Sequence, residues 1–299
     1  NTYLPKKDIM SERPKNLPSI TYTKVGNQKL RTAVWKGVDK GAGKRTPLLF
    51  FNGIGANLEI AQNFADRFTG RDIITFDMPG VGGSPDPKIP YRPWWAAKAA
   101  KEILLKHGYD YVDVLGVSWG GGMAQQFAFQ YKKMTHRLIL CATSPGVTMV
   151  PGDLRALTKM GSSRRYMDKD YLATHFETIY GDTEDGFGEF AQNMKPPSVK
   201  GYLFQLGAMA GWSSLPFIRR IKAPTLVIGG GNDKIVPLAN AKILNFCIKN
   251  SKLHVFPDAG HLFLVTIADE SIAVMREFLE EPEVALPPYE GHQPKSAAA

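Results

Sequence analysis

Six short apolar runs set the strongest limit on how this chain folds. Pro47–Phe51, Ile73–Phe76, Val112–Leu115, Leu138–Cys141, Thr225–Ile228 and Leu253–Phe256 all have strand length. Stretches with helical character separate most of them: Leu58–Phe68, Trp94–His107, Trp119–Tyr131, Leu238–Ile248 and Thr266–Leu279. Continuously apolar strands that alternate with helices are buried on both faces, which implies a mostly parallel sheet with helices on either side, the α/β class. Ahead of them, "ITYTKVGNQKLRTAVWK" (Ile20–Lys36) alternates around Gly26-Asn27 as an antiparallel hairpin does.

The rhythm breaks once. Residues 147–221, after the sixth strand, contain no clear strand yet hold five of the chain's ten methionines (Met149, Met160, Met167, Met194 and Met209) and many aromatics. A structureless loop of that length is improbable, so the interval reads as a helical cap inserted over the sheet edge. The expected organisation is an arm over 1–18, a core made of 19–146 and 222–281, the cap over 147–221, and a proline-rich tail over 282–299.

Composition narrows the partners. The net charge is +9, but the Lys and Arg residues are scattered and form no block, so the basic balance reads as solvated surface and not as a nucleic-acid footprint. No apolar run approaches the roughly 18 residues that span a bilayer. Cys141 and Cys247 have no metal-type spacing and read as buried thiols, not as a disulfide. The N-terminus lacks the basic, apolar, small-residue order of a secretory leader, so a cytoplasmic location is the expectation, with a leader removed ahead of Asn1, and secretion, as the alternative.

The chemistry is concentrated where "DVLGVSWGGGMAQQFAFQYKK" (Asp113–Lys133) passes from a strand rhythm to a helical one. At such a corner the apex residue is strained and its side chain is pushed outward, so small neighbours are required. Gly116-Val117-Ser118-Trp119-Gly120 supplies them, and the helix that follows aims its positive end at Ser118. A serine hydroxyl needs a base. Of six histidines, His261 in "VFPDAGHLFLV" follows the last strand at the edge of the sheet where ligands bind. His107, His136, His254 and His292 suit structural or exposed roles, and His175 in the cap remains a candidate substrate contact. Asp233 in "TLVIGGGNDKIVP" ends a strand at the same edge and is the expected partner of the base, with Asp258 as its competitor. The order Ser118, Asp233, His261 is the α/β-hydrolase order. An oxyanion needs two amide donors. Trp119 is one, and Ile54 in "FFNGIGANLE" is the other. Asp77 and the glycines of "FDMPGVGGSPDP" read as shaping the edge.

These stretches resemble the α/β-hydrolase superfamily over about Ile20 to Leu279. "LLFFNGIGANLE", "FDMPGVGGSPDPKIPYRP" and "LGVSWGGGMAQQFA" are similar to the intracellular depolymerases of medium-chain-length polyhydroxyalkanoates. Asn-Gly at the oxyanion turn and Ser-Trp-Gly-Gly at the elbow carry the likeness, since generic esterases commonly have His-Gly. Gly122 stands where many relatives carry alanine. The resemblance implies hydrolysis of the ester bonds of a storage polyester of 3-hydroxy acids by Ser118, Asp233 and His261, with no metal or organic cofactor, at the surface of cytoplasmic granules. A carboxylesterase or lipase, and a non-catalytic receptor on the same fold, are the alternatives. Dehalogenases and epoxide hydrolases carry aspartate where this chain has Ser118.

Overall fold

β1 (Ser19–Val25) and β2 (Gln28–Trp35) pair antiparallel across Gly26-Asn27. Gly26 has a φ of +55°, and Asn27 is not on the positive side, so only the first central residue needs the left-handed region, as in a type II′ turn. The structure is a computed structural model and describes residues 16–38, 45–160, 164, 168–182, 188, 191 and 193–281. The expected tail, most of the expected arm, His292, Tyr166, Met167, Phe187 and Phe190 lie outside the described residues. The end of the arm is held to the core, with Asn16 bonded to Asp66 and Gln62.

The remaining strands are β3 (Leu48–Phe51), β4 (Ile73–Phe76), β5 (Val112–Val117), β6 (Thr135–Cys141), β7 (Thr225–Gly230) and β8 (Ser251–Phe256). They form one eight-stranded sheet in the order β1-β2-β4-β3-β5-β6-β7-β8. β2 meets β4 antiparallel, and every pairing from β4 to β8 is parallel. This is the mostly parallel sheet that the apolar runs imply.

Successive side chains of a strand point to opposite faces, and each face has its own core. Leu49, Phe51, Val114 and Leu140 pack with α2 (Pro93–Lys106), α3 (Trp119–Gln130) and α7 (Leu238–Cys247). Leu48, Phe50, Leu115 and Ile139 pack with α1 (Ala61–Arg67), α8 (Phe263–Thr266) and α9 (Ala268–Glu280). Two expected helices are broken at their starts. Leu58–Ile60 is a 3₁₀ turn leading into α1, because the Asp77 carboxylate accepts from the Leu58 amide. The last helix is split at Ile267, where the Thr266 hydroxyl is bonded to Asp182 and to the Leu262 carbonyl.

Between β6 and β7 the described residues form α4 (Leu154–Met160), α5 (Lys169–Tyr180) and α6 (Val199–Met209), and no strand beyond an isolated bridge from Gly146 to Ser213. Leu172, Phe176 and Ile179 make a third small core with Ile235 from the sheet edge. Part of the described apolar content of this interval therefore serves its own packing, while Phe204 and Met209 pack on the main core. Cys141 and Cys247 are free; Cys141 is buried, whereas Cys247, expected to be buried, is half-buried at the margin of the core under α7. Among the described residues no helix is long and apolar enough to cross a membrane.

The opposite edge of the sheet is closed by charge. The Arg71 guanidinium lies 2.6 Å from Asp113, whose other oxygen is 2.8 Å from His136 Nδ1, and the Arg71 and Asp113 side chains are only 5% and 1% exposed. Replacing Asp113 by Ala leaves the Arg71 cation buried without its carboxylate. The expected loss is about 3–5 kcal/mol, seen as a lower urea midpoint at unchanged m-value. An unchanged midpoint would mean that the pair holds nothing together.

Candidate active site

Ser118 joins β5 to α3 with φ +53° and ψ −121°. Serine enters this region only when its surroundings compel it. Several contacts do so. The Ser118 amide donates to the Cys141 carbonyl (2.9 Å) and its carbonyl accepts from the Thr143 hydroxyl (2.7 Å). A Cβ on Gly116 would lie 2.5 Å from that of Ala124, and one on Gly120 would collide with the Phe51 carbonyl. The small residues of the motif are thus demanded by the approach of strand and helix.

His261 Nε2 lies 3.0 Å from Ser118 Oγ, and His261 Nδ1 lies 2.8 Å from Asp233 Oδ2. A carboxylate only accepts, so Nδ1 carries the proton and Nε2 is left to accept from the serine hydroxyl. The remaining oxygen of Asp233 accepts from the amides of Ile235 (2.9 Å) and Val236 (2.8 Å), which fixes its plane. Asp233 and His261 are both buried. The three residues named from sequence therefore form one hydrogen-bonded line.

The competitors are elsewhere. Asp258 is exposed, with its carbonyl accepting from Asn232. His107 caps α2 near Thr21, His136 belongs to the Arg71 cluster, and His254 packs on Phe256. His175 sits on α5 beside Lys159 and Tyr171, away from the cleft. Among the described residues no cluster of three or more His, Cys, Asp or Glu side chains is placed to hold a metal ion.

The turn Asn52–Gly55 runs beside the serine: a Cβ on Gly53 would be 3.9 Å from that of Ser118. Ile54 lines the same cleft as Ser118, and Trp119 begins α3, so its amide has no carbonyl four residues back to bond. Gln205, buried on α6, ties both sides of this arrangement together. Its side-chain oxygen accepts from the Gly55 amide and its carbonyl accepts from the Trp119 indole, both at 2.9 Å. Asp77 shapes the edge as expected, taking the amides of Leu58 and Gly83 and facing Arg31. Burial pushes its carboxyl up to about 6 despite those bonds. Beside it, burial also favours the neutral form of Glu59, but hydrogen bonds from Lys195 and Asn57 and the charge of Arg31 hold its carboxyl at about 2.

The cleft above Ser118 holds about 1080 Å³ of atom-free space, part of it continuous with solvent. Ile60, Phe64, Met160, Met194, Leu262 and Val265 give it an apolar wall, and none of its described lining residues is Asp, Glu, Lys or Arg. Gln205, Asp182, Tyr180 and Asn57 are the residues that sequence reasoning missed. Asn57 holds the strand of chain at Asn193 and Lys195, and Asp182 holds the loop of His261. Asn57 stands within the stretch "FFNGIGANLE", but its residue type does not mark its partners at Asn193 and Lys195. Of the other three, only Asp182 has a local signal, the helix-ending glycine before it, Gly181 at φ +75°.

Comparison with known proteins agrees with this fold. Residues 46–266 match the family described as having the alpha/beta hydrolase fold. A poly(3-hydroxyalkanoate) depolymerase of Ectopseudomonas oleovorans is 41% identical over 261 residues, covering 85% of this chain and 90% of that protein. A 2-hydroxymuconate semialdehyde hydrolase of Pseudomonas putida is 29% identical, covering 81% of this chain and 89% of the relative. A hydrolase of Pseudomonas aeruginosa of known structure superposes with a TM-score of 0.72 at 22% identity, covering 87% of this chain and 98% of its own.

Replacing Gln205 by Leu keeps the volume but leaves the buried Gly55 amide unpaired. The expected cost is about 1–3 kcal/mol, read as a lower thermal midpoint. A midpoint equal to that of the unaltered protein would show that the turn does not need this anchor.

Proposed function

Because the chain belongs to the α/β-hydrolase fold family, we propose that it is a serine ester hydrolase whose substrate is a poly(3-hydroxyalkanoate). The observation that carries the reading is the line Asp233–His261–Ser118 opening into an apolar, uncharged cleft. A polyester of 3-hydroxy acids offers neutral ester groups and alkyl side chains, and such a wall accepts both without stranding a charge. A carboxylate substrate would find no described Lys or Arg in the cleft. The 41% identity to a poly(3-hydroxyalkanoate) depolymerase supports the choice of polymer.

In this mechanism Ser118 Oγ attacks the ester carbonyl carbon while its proton passes to His261 Nε2. Asp233 stabilises the resulting imidazolium. The amides of Ile54 and Trp119 receive the oxyanion, aided by the positive end of α3. Collapse re-forms the carbonyl and breaks the bond from its carbon to the ester's alkoxy oxygen, and His261 gives its proton to that departing oxygen, which leaves as a hydroxyl. Water then enters, loses a proton to the same imidazole, and releases the acid from Ser118. Residues 147–221 act as a cap whose Met160, Tyr180 and Met194 complete the apolar wall. No metal or organic cofactor takes part, and the enzyme works at the surface of polymer granules.

Ser118→Ala is expected to reduce clearing of a turbid polyester suspension to background while leaving the melting transition in place. Asp233→Asn should retain weak activity, with kcat lower by about 10⁴-fold. Retained turnover in the Ser118 variant would refute the mechanism. Labelling of Ser118 by a fluorophosphonate without polymer clearing would instead indicate an enzyme of small or lipid esters, and tight ligand binding without turnover would indicate a receptor.

A further inference from the structure

His261 stands on a loop between β8 and α8, not on a strand, so something other than sheet pairing must hold it. Three consecutive amides of that loop are received by residues 180–182. The Gly260 amide donates to Asp182 Oδ1 (2.9 Å), the His261 amide to the Tyr180 carbonyl (2.7 Å), and the Leu262 amide to Asp182 Oδ2 (2.7 Å). The Thr266 hydroxyl adds a fourth bond, to Asp182 Oδ1 at 3.0 Å. The backbones touch: a Cβ on Gly260 would lie 2.5 Å from the carbonyl carbon of Gly181. A Cβ on Gly181 would collide with the Asn232 carbonyl, one residue before Asp233.

Asp182 is only 4% exposed, and each bond from its neighbours is made by a donor. That donor set selects the acceptor-only carboxylate. Burial pushes its carboxyl up, while the two amides, the hydroxyl and the nearby His261 pull the other way. The titratable groups turned to His261 are Asp233 from the loop after β7, Tyr180 from α5, whose ring stacks at 6.5 Å, and Asp182 just beyond α5.

We propose that Asp182 is a positioning residue for the base: its carboxylate fixes the loop that carries His261, and its charge supports the imidazolium formed when Ser118 loses its proton. The helical interval would then be part of the catalytic apparatus as well as a cover over it. This rests on the reading of Ser118, His261 and Asp233 as the reacting line.

The test is the second-order rate at which a fluorophosphonate labels Ser118, followed against pH in the full chain, beside thermal melting. In Asp182→Asn the amide group must turn a donor toward donors, and the negative charge is gone. The labelling rate at the plateau should fall by about 10²-fold, and the acidic limb of the profile should move to lower pH, because the imidazolium has lost a stabilising anion. Asp182→Glu keeps the charge with altered reach, so its plateau should fall while its acidic limb stays at the wild-type position. If Asp182→Asn does not fold, Asp182→Glu alone decides: a reduced plateau with an unmoved limb supports the proposal, and a wild-type plateau overturns it. Folded Asp182→Asn with a wild-type limb would reduce Asp182 to a structural residue and overturn the proposal alone. Wild-type protein labelled no faster than Ser118→Ala would overturn the ester-hydrolase reading and this proposal with it.

Discussion

The site depends on one strained residue. Ser118 holds a φ of +53°, which no helix or strand propensity provides, so the surrounding structure must provide it. Parallel pairing does this. β3, β5 and β6 run side by side in the same direction, so the loops that follow them emerge at a single edge. The loop after β6 brings Thr143 to the Ser118 carbonyl, and the end of β3 presses against Gly120. An antiparallel partner in either position would deliver a strand start there, without these turns. The sheet's direction is therefore a condition for the serine's conformation.

Three buried aspartates at that edge share one device. Asp77 receives the amides of Leu58 and Gly83, Asp182 those of Gly260 and Leu262, and Asp233 those of Ile235 and Val236. Each pins an irregular loop that has no sheet or helix ladder to satisfy its donors. They differ in what the carboxylate faces. Asp77 faces Arg31, Asp182 faces the loop of His261, and Asp233 alone faces a ring nitrogen of that histidine. The assignment of Asp233 over Asp258 thus depends on which carboxylate is turned to the imidazole, and Asp258 is turned to solvent.

The core was highly legible in the sequence. Ile73–Phe76 coincides with β4, and the other strand-length runs fall within or nearly within their strands. For β3 to β7 the reason is that a strand buried on both faces must be apolar throughout, whereas β8, at the end of the sheet, carries Lys252 and His254 and buries none of its residues. Ser118, Asp233 and His261 were legible because each follows a strand at a recognisable change of rhythm. The helical interval was legible only as a composition. Among the described residues, Phe176 sits in a private core, while Met160, Tyr180 and Met194 both pack on that core and line the wall of the cleft. Spacing along a helix does not distinguish the two, since both surfaces are apolar.

The sequence by itself determined the layered sheet, the corner at Ser118 and the order of the three polar residues. These are local matters: periodicity, chain order and the small side chains required at a tight turn. Only the tertiary structure decided that His261 Nε2 reaches Ser118 Oγ at 3.0 Å, that Gln205 reaches back 150 positions to the Gly55 amide, and that Asp182 receives the loop of the base. Such contacts join residues far apart in the chain whose types alone are ordinary. Their meaning comes from burial, because an amide or carboxylate removed from water must find its partner wherever the fold has placed one.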